Sequence, residues 1–325
     1  MKRLICLILS LLLLTGCGKS ETEQPEEEKL IVVGISQVGA ESDWRVANSE
    51  SMKSVFTEER DYRLLFEDAR QIQENQIIAV RRFIQQRVDY IVLMPLSETG
   101  WDSVLQEAWD AGIPVILVDR MVDVEDDSLY AAHVGSDFYA QGRKAVTWME
   151  RKFRNSSEAV NIVHIQGTPG STAQLGRTNA LEDGLTAHEN WNLLARLDGD
   201  FTQAKTYEVM SRYLGTLPPE QGIDVVYCEN DNEAFGAIEA LERYGYQCGT
   251  DVNVICFDAT RNALKLCMEG KIALTVECNP LLGPLVEEII QTMEAGQIPQ
   301  KQHYIEEKQF TSRNLTQQII DSREY

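Results

Sequence analysis

The sequence is short of positive charge. Its 325 residues hold 30 Lys and Arg against 51 Asp and Glu, a formal net charge of -21. A nucleic-acid partner needs a basic footprint for phosphates, and the sequence shows none. An acidic excess of this size serves solubility and weak self-repulsion. Histidine is scarce, at 4 residues, and none of the 7 cysteines makes a CxxC or a metal-ligand spacing. No GxSxG, no HExxH and no P-loop pattern occurs, so the common serine-hydrolase, metalloprotease and nucleotide-phosphate chemistries have no motif here. Neither a cofactor nor a metal is expected. What the chain does have is apolar mass, 43% of its residues, enough for one large α/β domain or two lobes of ordinary size.

The first residues have a layout of their own. MKRLICLILSLLLLTGC opens on Lys2 and Arg3, runs apolar from Leu4 to Leu14 and reaches Thr15-Gly16-Cys17. The run is short for a membrane span, and its flanks fit a secretory signal. Leu14-Thr15-Gly16-Cys17 resembles the bacterial lipobox, whose Cys is acylated and becomes the first mature residue. Residues 1–17 therefore read as a lipoprotein signal peptide, with Cys17 the lipidation site. The alternative is an ordinary signal peptide with an incidental Cys. Two or more acyl chains on Cys17 would hold the protein at a membrane without a spanning helix. Residues 18–29, GKSETEQPEEEK, are polar, acidic and nearly free of apolar side chains, and read as a disordered tether. Cys6 leaves with the signal, so Cys228, Cys248, Cys256, Cys267 and Cys278 remain for the body. An odd number cannot all pair internally. Buried free thiols are expected, with a disulfide at Cys248 left open.

From Leu30 onward, short β-branched runs alternate with helical periodicity. The strands fall at 30–37, 62–67, 89–95, 114–119, 131–135, 160–166, 192–197, 224–229, 252–258 and 272–278. Between them lie amphipathic stretches such as 71–87, with Ile72, Ile77, Val80, Phe83 and Ile84 on or near one face. Runs such as YIVLM and VILV are apolar without alternation, the pattern of parallel strands covered on both sides by helices. The fold class is α/β. Such a succession suits a TIM barrel or two doubly wound, Rossmann-like lobes, and two features favour the lobes. Residues 121–130 break the regular pace before a short strand, as a crossover would. The extended segment QHYIEEKQFTSRN then follows the last full helix, 281–295, where a barrel would end on a helix beside its first one.

In open parallel sheets, ligands bind beyond the carboxyl ends of the strands. The residues standing there are polar at almost every strand. Gln37, Glu41, Trp44 and Arg45 follow the first strand, and Asp119 and Arg120 end the run IPVILV. Arg177 lies one or two turns into the helix after 160–166, and Phe201 follows 192–197. Glu229, Asn230 and Asp231 follow 224–228, Asp258 ends 252–257 and Glu277 ends 272–276. Asp231 and Asp200 each directly precede a helical run and read as helix caps or turn residues. The rest make chemical sense as a set. Sugar hydroxyls both donate and accept, which carboxylates and Asn can meet and the planar Arg fork can saturate. The C–H faces of a sugar ring want a flat aromatic surface, available from Trp44 and Phe201.

At these residues the chain resembles the periplasmic sugar-binding proteins of ABC transporters, in the ribose-binding-like branch and nearest its galactofuranose-binding members. VGISQVGAESDWR, QENQIIAVRRFI, TGWDSVLQEAWDAGIPVILVDR, GDFTQAK and ECNPLLGP carry the likeness, which runs from about Leu30 to the C-terminus. The resemblance implies a type I periplasmic binding protein, two lobes joined by three hinge strands with sugar enclosed between them. The lobes would be 30–135 plus 279–305 and 136–278 plus 306–325, with crossings near Val134–Asp137, Glu277–Asn279 and Glu306–Lys308. It makes Trp44 a stacking face and Arg45 a hydroxyl donor, with Asp119 and Arg120 binding hydroxyls from the same lobe. Arg177, Phe201, Asn230, Asp258 and Glu277 would approach from the second lobe or the hinge, and Gln37 and Glu41 would contribute from the loop. Two positions depart from the galactofuranose-binding pattern. Gly176 stands where that pattern has an acid, and Ala259 stands where a Gly is usual.

The function so implied is a lipid-anchored, monomeric receptor that captures a monosaccharide, galactofuranose or another furanose, pentose or hexose. It would deliver that sugar to a membrane permease. Docking of the same closed lobes onto a membrane histidine kinase or chemoreceptor is the alternative. A glycosidase using Asp119 and Asp258 as its acid pair is disfavoured, because nearby arginines would hold both carboxylates ionised and leave no proton donor. A DNA-binding repressor is opposed by the signal peptide, the acidic charge and the missing N-terminal helix-turn-helix.

Overall fold

The computed structural model describes residues 30–325 other than residue 219. The signal peptide, Cys17 and the tether lie outside the described residues. Two six-stranded sheets organise the chain. The first is built from β1 (Ile31–Gln37), β2 (Tyr62–Asp68), β3 (Tyr90–Leu93), β4 (Val115–Val118) and β5 (Ala132–Gly135), with helices α1 (Asp43–Val55), α2 (Gln73–Gln86) and α3 (Asp102–Asp110) between them. The chain then enters the second sheet. Its strands are β6 (Val160–Gln166), β7 (Trp191–Asp198), β8 (Val225–Cys228), β9 (Asn253–Asp258) and β10 (Ile272–Glu277). Its helices are α4 (Phe138–Phe153), α5 (Thr172–Ala187), α6 (Gln203–Leu214), α7 (Asp231–Arg243) and α8 (Arg261–Met268). Helix α9 (Gly283–Glu294) and β11 (Gln302–Tyr304) return to the first sheet, and β12 (Gln309–Phe310) and α10 (Gln317–Asp321) to the second.

The strand orders are β2-β1-β3-β4-β5-β11 and β7-β6-β8-β9-β10-β12, one doubly wound plan used twice. All neighbours pair in parallel except β10 and β12, which are antiparallel. That exception follows from how the chain crosses. Strand β11 runs toward the cleft beside β5, passes through residues 305–308 and enters the second sheet from its cleft side. Strand β12 therefore runs against β10. The other crossings, 136–137 and 278–282, also leave from strand carboxyl ends. All three sheet-to-sheet passages thus sit beside the region where a ligand would bind.

Both faces of each sheet are apolar, which explains the unbroken runs. On the first sheet, Val33, Ile35, Val92, Ile116 and Val118 pack on one side beneath α9, and Ile91, Leu93, Val115 and Leu117 on the other beneath α2 and α3. Successive residues point to opposite faces, and each meets a helix. The second sheet divides the same way, with Val226, Val254 and Cys256 on one side and Val225, Tyr227, Ile255 and Phe257 on the other. The five cysteines of the body are free thiols, four of them buried. No helix among the described residues is long and apolar enough to cross a membrane.

Helix α2 lies so close over β1 that Gly34 faces the ring of Phe83 directly. A Cβ at Gly34 would stand 2.6 Å from Phe83 Cγ, and Phe83 is itself fully buried. Gly34→Ala is expected to lower the free energy of unfolding by roughly 1–3 kcal/mol, as overpacking of a dense core does. Denaturant titration checks it, and unchanged stability would show that α2 can lift away from the strand.

Candidate ligand-binding site

The turn after β1 is organised by a helix cap. Ser42 Oγ accepts from Arg45 N at 3.2 Å, so α1 starts at Asp43 and places Trp44 and Arg45 in its first turn rather than in a loop. A cation there opposes the helix dipole, and two carboxylates offset it. Arg45 Nε donates to Glu41 at 3.0 Å, and Nη2 donates to Asp119 Oδ2 at 2.8 Å. Asp119 stands just past β4 in left-handed backbone, φ 65°, where its N–H donates to Val134 O at 2.8 Å and its carbonyl accepts from His133 Nε2 at 3.0 Å. Arg120 donates through Nη1 to Leu96 O at 3.0 Å and lies 3.7 Å from Glu41 and 3.8 Å from Asp119. Trp44 reaches across the first lobe to the second crossing, its Nε1 donating to Cys278 O at 2.7 Å.

The second lobe supplies the opposite wall. Arg177, in the second turn of α5, donates through Nε and Nη2 to Gln141 Oε1 at 3.1 and 2.9 Å, and through Nη1 to the carbonyl of Glu229. Its guanidinium lies 4.7 Å from the Phe257 ring centroid and 3.6 Å from Asp258. The tip of the Phe201 ring packs against Gly167, where a Cβ would come within 2.0 Å of Cζ; only glycine leaves room for the ring. The Arg120 guanidinium stands 5.3 Å over that ring from the other lobe. Backbone strain gathers here. Asp119, Asp200, Phe201, Asp258 and Ala259 all have positive φ, a conformation that costs a non-glycine residue roughly 1–2 kcal/mol.

Together these residues close over a cavity whose free space, about 20 Å³ for the centre of a water-sized sphere, is room for about one water. Glu41, Trp44, Arg45, Asp119 and Arg120 line it from one lobe, and Arg177, Phe201, Asn230 and Asp258 from the other. The lobes touch directly around it. Asp43 N donates to Asn232 Oδ1 at 3.1 Å, Met121 N to Thr172 Oγ1 at 2.9 Å and Glu98 N to Gly170 O at 2.9 Å. The lining carries three carboxylates and three guanidiniums, so its formal charges balance. Glu41 Oε2, Arg45 Nη1 and Arg120 Nε are buried without a hydrogen-bond partner among the described residues. A wider groove along α4 and β12, lined by Arg143, Lys144, Arg151 and Lys308, opens to solvent and gathers none of these groups.

The environment separates the ionisable groups. Burial works against the charge on Arg45, but Asp119 and Glu41 outweigh it and raise its pKa. Arg120 has no such bidentate pair, and burial together with the Arg45 charge lowers it to about 10. Burial pushes Asp258 well above the usual carboxylate range, Asp231 and Asp119 add to this, and Arg177 opposes it. At Asp258 burial therefore works against the ionised form expected from the sequence, and Arg177, 3.6 Å away, works for it.

Two residues expected in the site lie elsewhere. Gln37 faces back onto α1, where Nε2 donates to Asn48 Oδ1 and Ser49 Oγ, each at 3.1 Å, and Oε1 accepts from Val38 N at 3.0 Å. It braces strand to helix, and no polar atom is left over. Glu277 turns outward from the cavity to accept from Lys308 N at 2.9 Å and from Arg323 and Tyr325 of the C-terminal tail. Burial would raise its pKa, but the Arg323 bond and the Lys308 N–H hold it below the ordinary value. Asn230 lines the cavity but is also the cap of α7, its Oδ1 accepting from Glu233 N at 2.8 Å. Its Nδ2 donates to Phe201 O at 3.1 Å, which leaves one amide hydrogen. Asp231, expected as a cap or turn residue, instead points inward and accepts from Thr260 N, Thr260 Oγ1 and Thr275 Oγ1. Asp200 is a turn residue, as expected, paired with Lys205 at 3.3 Å. Ser42, Phe138, Ala173 and Cys278 also line the cavity. Nothing in their local sequence marks them, since a cap, two apolar residues and a lone thiol have ordinary structural uses.

Twin doubly wound lobes, three crossings and a polar cavity between facing strand ends define the architecture of a type I periplasmic binding protein. The chain belongs to that family: residues 33–281 match the periplasmic binding protein domain. It is 36% identical over 272 residues to the galactofuranose-binding protein YtfQ of Escherichia coli K12, covering 83% of this chain and 85% of that one. A Mycobacterium smegmatis structure in complex with β-D-fucofuranose superposes with a TM-score of 0.84 at 40% identity, over 88% of this chain and 92% of that one. The binding component of the Shewanella sp. ANA-3 arabinose ABC transporter, bound to α- and β-L-arabinofuranose, gives 0.84 at 36% identity, over 90% and 95%.

Asp231 offers a test of the buried electrostatics. Burial pushes its carboxyl up to about 6, against an ordinary 3.8. Between those values the folded protein keeps a proton that the unfolded chain releases, so this contribution to stability is full below about 4 and lost as pH rises through about 6. Asp231→Asn removes the effect. The stability of the variant relative to the parent should therefore rise between pH 4 and pH 7, as read by denaturant titration at both. A constant difference would show that Asp231 titrates normally.

Proposed function

We propose that the protein is an extracytoplasmic lipoprotein that captures a neutral monosaccharide, a furanose foremost, between its closing lobes and delivers it to an ABC permease. The observation that carries this reading is the polar cavity between the lobes: narrow, with balanced formal charges, and lined with buried donors and acceptors that lack hydrogen-bond partners among the described residues. A buried polar group left unpaired costs roughly 1–3 kcal/mol. A ligand with several hydroxyls can satisfy the Glu41 carboxylate and the Arg45 and Arg120 N–H groups at once. A charged ligand would leave the cavity with an uncompensated charge. In this reading Trp44 and Phe201 cover the apolar faces of the ring. Asp119, Arg177, Asp258 and the remaining Asn230 N–H meet its hydroxyls. The furanose-bound structures named above support the ring class.

Gly176 sets a limit on how far the likeness carries over. A Cβ there would lie 2.7 Å from Phe138 Cβ and 2.8 Å from Tyr139 N. No acid fits at this point, because α5 packs directly on the start of α4. Whatever hydroxyl an acid would meet at that position must here be met by another group, so the preferred sugar can differ from galactofuranose.

Titration calorimetry of protein lacking residues 1–17 against furanoses, pyranoses, uronic acids and amino acids tests the ligand class. Neutral sugars should bind and the charged compounds should not; binding of no sugar would remove the reading. Trp44→Ala should weaken sugar binding by about tenfold or more, the scale of a lost ring-stacking surface, and unchanged affinity would take Trp44 out of the site. The protein expressed in a bacterial host should incorporate labelled palmitate, and Cys17→Ser should abolish the incorporation. Undiminished label in the variant would rule out an anchor at Cys17.

A further inference from the structure

Glu307 belongs to the third crossing, and its carboxylate holds all three crossings together. Oε1 accepts from Ser136 Oγ of the first crossing at 2.6 Å and from Asn279 N of the second at 2.9 Å. Oε2 accepts from Gln141 Nε2 at 2.6 Å. The other end of that amide, Gln141 Oε1, takes both the Nε and the Nη2 protons of Arg177. Gln141, Arg177 and Glu307 are all buried. The carboxylate is acceptor-only and the guanidinium donor-only, so the amide between them has a single workable orientation. Its NH2 must face Glu307 and its oxygen must face Arg177.

We propose that Glu307 is a positioning residue for the binding site: acting through Gln141, it fixes how Arg177 presents its guanidinium to the cavity, while the same carboxylate ties the three crossings. The proposal deepens the sugar-binding reading and rests on it for the meaning of Arg177. Its consequence is that hinge geometry and the aim of one cavity cation are set by one side chain. An amide in place of the Glu307 carboxylate cannot serve both ends. With its oxygen toward Ser136 and Asn279, its NH2 meets the NH2 of Gln141. Turned over, its NH2 meets the Asn279 N–H. Replacing Gln141 by a carboxylate as well resolves the first of these conflicts, because that carboxylate accepts from the substituted amide on one side and from Arg177 on the other.

The test reads the Arg177 Nε–H resonance by NMR, assigned with Arg177→Lys, alongside sugar affinity by calorimetry. Glu307→Gln should move the Arg177 signal and weaken affinity by about tenfold. Adding Gln141→Glu should return the signal toward the parent position and recover part of the affinity, an outcome that loss of a merely structural contact does not produce. Gln141→Leu leaves the bonds from Glu307 to the crossings in place and should also move the signal; it decides the question if Glu307→Gln does not fold. Ser136→Ala removes one crossing bond and should leave the signal where it is. An Arg177 signal unmoved by Glu307→Gln or by Gln141→Leu overturns the proposal, as does a double variant no nearer to the parent than Glu307→Gln alone. If the parent binds no sugar, the functional reading fails, and the NMR arm still decides whether Glu307 positions Arg177.

Discussion

Six charged side chains enclosed in one small cavity are the constraint around which the rest of the molecule is arranged. Removing an ion from water costs several kcal/mol even after relaxation, and mutual attraction offsets that only where geometry and hydrogen bonding are good. Arg45 meets this condition, its guanidinium held between Glu41 and Asp119. Arg120 and Asp258 meet it less fully, and their pKa values move toward the neutral forms accordingly. The incomplete pairs face the space between the lobes. A ligand that donates and accepts without carrying charge completes them; an ion does not. The proposed selectivity for a neutral polyol rests on the protein's own unfinished hydrogen bonding.

The fold makes such a cavity possible by dividing it. Each sheet brings its strand carboxyl ends, with their polar residues and positive-φ turns, to the same side of its lobe. The two half-sites face each other, and the lobes meet around them through the bonds Asp43–Asn232, Met121–Thr172 and Glu98–Gly170. The crossings lie beside this region because every one of them leaves from a strand end that faces it. Glu307 at the crossings and Arg177 in the cavity are consequently two hydrogen bonds apart, through Gln141.

The architecture was legible because its signals are local. Apolar runs without alternation mark strands such as β3 and β4, and helical periodicity marks α2. The late extended segment divides into β11 and β12, one edge strand for each sheet. The site was readable to the extent that position at a strand end decides it, which brings Asp119, Arg120 and Asp258 together. It was not readable where the direction of a side chain depends on a distant partner. Glu277 stands at a strand end like the others, but Arg323 and Tyr325, nearly fifty positions later, draw it outward. Gln37 is drawn back by Asn48 and Ser49 on the next helix. Gln141 and Glu307 carry no motif, and their role exists only because folding brings residues 136, 141, 177, 279 and 307 into one network.

The proposed occupant of the cleft between the lobes is an uncharged polyhydroxylated ring. Mass spectrometry of the compound released on denaturing protein lacking residues 1–17, purified without refolding, tests it most directly. A neutral monosaccharide at close to one per protein chain is the expected result. An amino acid, a carboxylate or a phosphorylated compound in that place would contradict it.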